Sequence, residues 1–142
     1  MQQRIATRNI VIERPAEEVF VFISSAANWP TWALETCESI KPLPDGCWLT
    51  RSTNGAGTLC IVPSVDRRSV HFAISLREGE WEIDCRLCEQ GQATGFELIF
   101  PQPEHCDEFC FDDYMMIAEH RLRRLKTLLE KSDLAFPPSP GR

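Results

Sequence analysis

The middle of the chain consists of short apolar segments separated by turn residues. Predicted strands occupy residues 37–41, 47–52, 58–63, 69–76, 81–89 and 93–100. The clearest turns between them are Pro44-Asp45-Gly46, Asn54-Gly55-Ala56-Gly57 and Gln90-Gly91-Gln92. Connections this short join antiparallel neighbours, because a parallel crossover needs about a dozen residues or more. The pattern therefore predicts an antiparallel meander rather than βαβ units.

Alternation within these strands indicates which face of the sheet is buried, since residues two apart point to the same face. Three strands carry apolar sets: Val70, Phe72 and Ile74; Trp81, Ile83, Cys85 and Leu87; and Phe96, Leu98 and Phe100. Charged residues occupy intervening positions at Glu82, Asp84, Arg86 and Glu97. One face should therefore meet water while the other is covered.

Residues 4–13 are rich in β-branched side chains and predict a further strand at the start of the chain. Pro15 ends that strand and suits the first turn of a helix. A second short helix is expected at residues 28–34, with Asn28 as its cap and Pro30 in its first turn. The pattern therefore predicts two short helices between strand 1 and strand 2.

Apolar residues near the end of the chain repeat at helical spacing. Steps of four and three residues connect Phe111, Met115, Ala118, Leu122, Leu125 and Leu129. A helix over about residues 107–131 would place them in one stripe and would be roughly 37 Å long. Such a helix can cover the apolar face of the sheet. The proline-rich residues 132–142 are expected to form a flexible tail after a single domain of residues 1–131.

Composition and charge restrict the partners that we expect. The 142 residues fit one domain, with 43% hydrophobic and 25% charged residues and a net charge of −6. An acidic chain repels phosphate backbones at long range, so no nucleic-acid partner is expected. The N-terminal residues lack the apolar stretch of a signal peptide, and no segment has the ~20 apolar residues that span a bilayer. These features favour a cytoplasmic protein without membrane insertion, and they leave open whether it is a monomer or a homodimer.

Three motifs carry a family resemblance. Ile10-Val11-Ile12-Glu13-Arg14-Pro15-Ala16-Glu17-Glu18-Val19-Phe20 joins a strand to a proline-led helix, and Asn28-Trp29-Pro30-Thr31-Trp32 follows it. Arg124-Leu125-Lys126-Thr127-Leu128-Leu129-Glu130 closes the last helix. Together they resemble the START/birch-pollen-allergen (SRPBCC) superfamily, and in particular its polyketide cyclase/dehydrase and lipid-transport group. The resemblance implies an α+β helix-grip fold, in which a seven-stranded curved antiparallel sheet wraps around a long C-terminal helix.

The resemblance also implies an internal cavity between the sheet and the long helix. The large apolar residues expected near it are Trp32, Trp48, Phe72, Trp81, Phe96, Phe100, Phe111 and Met115. The alternative is that these residues pack a solid core. A fully packed interior would count against a ligand-binding function.

The sequence does not identify catalytic residues, although four polar residues are candidates. His71 should point away from the buried face of its strand; if that face assignment were wrong, it would be a general base in the cavity. Glu35, Arg51 and Tyr114 lie where a cavity rim is expected and could orient a ligand carbonyl or hydroxyl. As ordinary surface residues they need no such role.

The seven cysteines are interpreted first as small core residues, because thiols stay unpaired in a reducing compartment. Cys85 and Cys88 form a CxxC motif, but a spacing of three within a strand sends their side chains to opposite faces. Cys106 and Cys110 could assemble a metal site with His105, although no second knuckle motif supports one. We therefore expect neither a metal nor another cofactor.

The leading hypothesis is a protein that encloses a small hydrophobic or aromatic molecule, polyketide-like or lipid-like. It would act as a carrier or as a cyclase or dehydratase, and in a cyclase the cavity shape would fold the substrate. The alternative is a non-enzymatic protein-interaction module that resembles the chaperone co-activators of this superfamily.

Overall fold

Seven strands form one antiparallel sheet in the computed structural model, which describes residues 4–33, 37–53, 55–77 and 79–131. The strands are β1 (Ile5–Ile12), β2 (Cys37–Pro42), β3 (Trp48–Ser52), β4 (Gly55–Ser64), β5 (Ser69–Leu76), β6 (Gly79–Gln90) and β7 (Ala93–Pro101). Their order across the sheet is β1-β7-β6-β5-β4-β3-β2. The predicted meander is therefore confirmed, and β1 joins its far end by pairing with β7.

Three α-helices accompany the sheet: α1 (Ala16–Ser24), α2 (Trp29–Trp32) and α3 (Glu108–Glu130). A 3-10 turn at Ala26–Asn28 connects the first two, so both short helices lie between β1 and β2 as predicted. The prediction that the Asn28 side chain caps α2 is wrong. Asn28 itself has helical backbone angles rather than the extended ones of most caps, and its Nδ2 donates to the Phe22 carbonyl oxygen at 3.2 Å.

Helix α3 covers one face of the sheet through a single apolar stripe. The six predicted residues are all buried: Phe111, Met115, Ala118, Leu122, Leu125 and Leu129. Asp107 begins the helix by accepting a hydrogen bond from the Cys110 backbone N–H at 2.8 Å. Polar contacts also hold α3 to β1, since Lys126 Nζ donates to the Val11 carbonyl oxygen at 2.6 Å. The predicted α+β helix-grip architecture is confirmed.

The buried face of the sheet is the one that alternation predicted. Trp81, Ile83, Cys85 and Leu87 of β6 are buried, whereas the charged residues between them are exposed. Helix α1 packs against the central strands, so the core lies between the sheet and the helices. None of the described helices combines the length and apolarity that a bilayer crossing requires. The predicted tail at residues 132–142 lies outside the described residues.

The connection between β3 and β4 differs from the predicted turn at residues 54–57. Ser52 pairs with Gly55, so Gly55 already belongs to β4 rather than to a turn. A Cβ at Gly57 would lie 2.7 Å from the Ser75 carbonyl oxygen of β5. The absence of a side chain at Gly57 therefore allows β4 and β5 to approach closely, and Gly57 is not part of a turn.

A disulfide joins Cys47 and Cys60, which corrects the prediction that all seven thiols are unpaired. Trp48 pairs with Leu59 in the β3–β4 hairpin, so Cys47 and Cys60 lie opposite each other with their Cα atoms 4.5 Å apart. This separation lies within the range of protein disulfides. Among the remaining five cysteines, Cys85 and Cys106 are buried as core residues.

Candidate functional site

A small pocket lies between α2, the covered face of the sheet and the middle of α3. We call it the α2–α3 pocket. Its lining residues are Trp29, Trp32 and Ala33 from the α2 region, Phe72, Ile83, Leu98 and Phe100 from β5 to β7, and Tyr114, Ala118 and Arg121 from α3. The lining is mostly apolar, and the pocket is partly open to the surface.

Aromatic rings form the walls of the α2–α3 pocket. The rings of Trp29 and Trp32 lie 5.7 Å apart, and Trp29 packs on Phe72 at 5.0 Å. Tyr114 stacks on Trp81 with their ring centroids 3.9 Å apart. Offset and edge-to-face packing of this kind favours a rigid wall around an apolar or aromatic ligand.

The volume of the pocket is about 20 Å³. About 10–15 Å³ holds one water molecule, so the space accommodates a water or a small head group but not the body of a larger ligand. Most of the interior between the sheet and α3 is therefore filled by side chains. A ligand of drug-like size would need side-chain movement at the mouth of the pocket.

Two polar groups of the pocket are buried without a hydrogen-bond partner among the described residues. They are the indole Nε1 of Trp32 and the guanidinium Nε of Arg121. Both groups can only donate. The Arg121 Cζ lies 5.8 Å from the centroid of the Tyr114 ring.

Tyr114 contributes a further polar group, its hydroxyl, to the α2–α3 pocket. Burial raises the pKa of Tyr114 above its ordinary value, and the charge and hydrogen bond of Arg121 offset that effect only in part. The phenol therefore remains neutral in the physiological pH range, where its hydroxyl can donate or accept a hydrogen bond.

Comparison with known proteins finds matches only at the level of structure. No protein-family profile matches the sequence, and no curated protein matches it either. A START superfamily protein from Mycobacterium smegmatis superposes with a TM-score of 0.69 at 11% identity, covering 92% of this chain and 99% of that chain. A conserved protein from Geobacillus kaustophilus gives a TM-score of 0.73 at 9% identity, covering 91% and 97%. The chain has the START-type helix-grip fold.

A protein of a biosynthetic pathway also has this fold. The di-domain aromatase/cyclase BexL from the BE-7585A biosynthetic pathway superposes with a TM-score of 0.71 at 17% identity, covering 89% of this chain and 46% of that chain. Identities this low establish the helix-grip fold and leave the chemistry to the residues of the site.

Within the helix-grip fold, only some of the predicted ligand-binding residues reach the α2–α3 pocket. Trp32, Phe72 and Phe100 line it, and Trp81 supports it through Tyr114. The remaining four are not part of its lining: Trp48, Phe96, Phe111 and Met115. Phe96, Phe111 and Met115 are fully buried core residues, and Trp48 packs against the edge of the core.

The candidate catalytic residues are dispersed over the molecule. Tyr114 alone among them lines the pocket, while Arg51 is exposed on β3. His71 faces away from the core and lies between two carboxylates, with Nδ1 2.6 Å from Asp84 Oδ1 and Nε2 3.1 Å from Glu82 Oε1. His71 therefore does not reach the α2–α3 pocket. Glu35 lies outside the described residues.

A second, much larger groove of about 980 Å³ lies on the outer face of the sheet. Charged and polar side chains line it, including Arg67, Asp84, Arg86 and Glu97, and it is widely open to solvent. Such a lining does not suit an apolar ligand.

No group of three or more metal-ligating side chains is assembled among the described residues. His105, which the sequence proposed as a third ligand with Cys106 and Cys110, instead lies with Nε2 3.1 Å from the Glu80 carbonyl oxygen. Its ring also packs against Trp81.

Sequence reasoning missed Trp29 and Arg121 as site residues. A signal for the α3 side existed, because Tyr114, Ala118 and Arg121 follow one another at spacings of four and three. They form a row that shares Ala118 with the apolar stripe.

Proposed function

We propose that this protein binds a small, mainly apolar molecule in the α2–α3 pocket. The observation that carries the proposal is the aromatic lining of a pocket that is partly open between α2 and α3. Polyketide-like and lipid-like aromatic fragments match such walls, and the BexL neighbour is named as an aromatase/cyclase.

Ligand entry would require α2 to move away from α3. Helix α2 has only four residues, and among the described residues Arg124 Nε of α3 donates to its Thr31 carbonyl oxygen at 2.6 Å. Opening would have to release that hydrogen bond and part of the packing of Trp29 and Trp32, and the energy of ligand binding would have to offset this cost. Movement of α2 would widen the pocket enough to admit a ligand body.

Binding is better supported than cyclisation of a long chain. Among the described residues, the pocket lining contains no imidazole or carboxylate that could serve as a general base. Its polar groups, on Trp32, Tyr114 and Arg121, can each donate a hydrogen bond, which can orient a carbonyl and polarise it. A cyclase or dehydratase function would have to draw its base from elsewhere.

Filling the pocket tests this function. Propylbenzene is the probe, and saturation-transfer NMR measures its contact with the protein. Ala118→Leu adds three carbons inside the pocket and should abolish the transfer, whereas Ala73→Leu makes the same change on the other face of the sheet and should preserve it. Circular dichroism confirms that both variants fold. Absence of transfer to the unmodified protein, or equal transfer to all three proteins, would refute the proposal.

A protein-interaction module is the second candidate, because α3 exposes large apolar side chains. Phe109 is 84% exposed and Met116 70% exposed, and Asp113 lies between them on the helix. These residues favour a partner with an apolar patch and basic neighbours. Phe109→Ser with Met116→Ser should release such a partner in a pull-down, whereas Val21→Ser, at an exposed apolar site on α1, should retain it.

A further inference from the structure

Two buried hydrogen-bond donors of the α2–α3 pocket have no acceptor among the described residues. Trp32 is only 4% exposed, and its indole N–H has no partner among the described residues. The Nε–H of Arg121 is buried and unpaired as well. Buried donors are nearly always paired in folded proteins. Two unpaired donors at one pocket therefore indicate that a further acceptor belongs there.

The charge of Arg121 restricts what that acceptor can be. In the described part of the chain no carboxylate forms an ion pair with Arg121, although Arg4, Arg8 and Arg14 each have one. The neighbouring hydroxyl of Tyr114 is neutral and contributes no compensating charge. Arg121 is half-buried, and a positive charge beside aromatic rings without a carboxylate partner favours an anionic acceptor over a neutral carbonyl.

The shape of the two donors restricts the anion further. A carboxylate has two oxygens, so it can accept a hydrogen bond from Arg121 with one and from Trp32, the other unpaired donor of the same pocket, with the second. The pocket volume of about 20 Å³ has room for a small head group only. Aromatic rings surround that space, so the rest of the ligand must be apolar.

We infer that the ligand of the α2–α3 pocket is an apolar carboxylic acid, of the arylacetic or short alkyl class, whose ionised carboxylate is held by Trp32 Nε1–H and Arg121. This inference rests on the proposed function, since it specifies the chemistry of a ligand bound at that same site. One ordered water molecule could also pair with both donors, and that outcome is part of the test.

Matched probes separate the head group from the apolar body. Phenylacetate and propylbenzene have similar shape, and only phenylacetate carries the carboxylate. Their dissociation constants are measured by NMR titration of the full chain. We expect phenylacetate to bind roughly ten- to a hundredfold more tightly, because a hydrogen bond to a charged group contributes that factor.

Three variants locate the carboxylate. Arg121→Gln and Trp32→Phe should each remove most of the preference for phenylacetate over propylbenzene, whatever their effect on the propylbenzene affinity itself. Arg123→Gln removes the same charge from the exposed side of α3 and should leave the preference unchanged. Circular dichroism shows that each variant is folded.

The outcomes distinguish this inference from the proposed function. If phenylacetate and propylbenzene bind equally well, the pocket holds only a water molecule at its donors; the acid inference then fails and the proposed function stands. If the preference survives in both Arg121→Gln and Trp32→Phe, the carboxylate lies elsewhere and the inference also fails. If neither probe binds, the proposed function fails and this inference with it.

Discussion

At the scale of single residues, the register of two strands determines which cysteines can form a disulfide, as the cross-strand pair of Cys47 and Cys60 shows. The two cysteines are 13 residues apart and meet because the β3–β4 connection is short. A turn at residues 54–57, which the glycines suggested, would have placed Cys47 opposite Ser64 instead. The disulfide therefore requires the observed register, which the positions of the glycines did not predict.

The disulfide should be detectable by thiol counting. In denaturant without reductant, five cysteines should react with an alkylating reagent, and all seven should react after reduction. Replacing Cys47 and Cys60 together by serine should lower the free energy of unfolding by roughly 3 kcal/mol, since the bond closes a short loop in the unfolded chain. Cys88→Ser, at an exposed free thiol, is the control and should change it by less than about 0.5 kcal/mol. Seven reactive thiols without reductant would contradict the account.

At the scale of elements, periodicity predicted the architecture well and the site poorly. The six apolar residues of α3 and the alternating residues of β5 to β7 are buried as their spacing predicts. Arg121 was missed because a charged residue beside an apolar stripe normally reaches water. Arg121 is half-buried, with its Nε fully buried, because α2, which is far away in sequence, packs over that part of α3.

Helix α3 should be the main stabilising element of the fold. Leu125 is completely buried, so Leu125→Ala should lower the free energy of unfolding by about 2–5 kcal/mol through lost burial and a new cavity. Arg123→Ala lies on the exposed side of the same helix and should change it by less than about 0.5 kcal/mol. Urea denaturation followed by circular dichroism measures both. Equal effects of the two substitutions would mean that Leu125 is not more buried than Arg123.

At the scale of the whole molecule, the helix-grip fold closes almost completely around its own side chains. Five of the eight residues expected to surround a ligand are not part of the pocket lining. Among the described residues, a small space remains where α2 meets α3, and unpaired donors belong to the residues that line it. Sequence patterns specify which residues are buried but not how fully they fill the interior, because packing depends on the relative placement of distant elements.

A ligand in the α2–α3 pocket should contact the indole N–H of Trp32. The most direct measurement is an NMR titration of 15N-labelled protein with phenylacetate, observing the indole N–H signals of the four tryptophans. Trp32→Phe assigns the signal of Trp32, and Trp48, which does not line the pocket, serves as the internal control. We expect the Trp32 signal to move progressively to saturation, as a newly bonded N–H does, while the Trp48 signal stays in place. A stationary Trp32 signal, or equal movement of the Trp48 signal, would contradict the account.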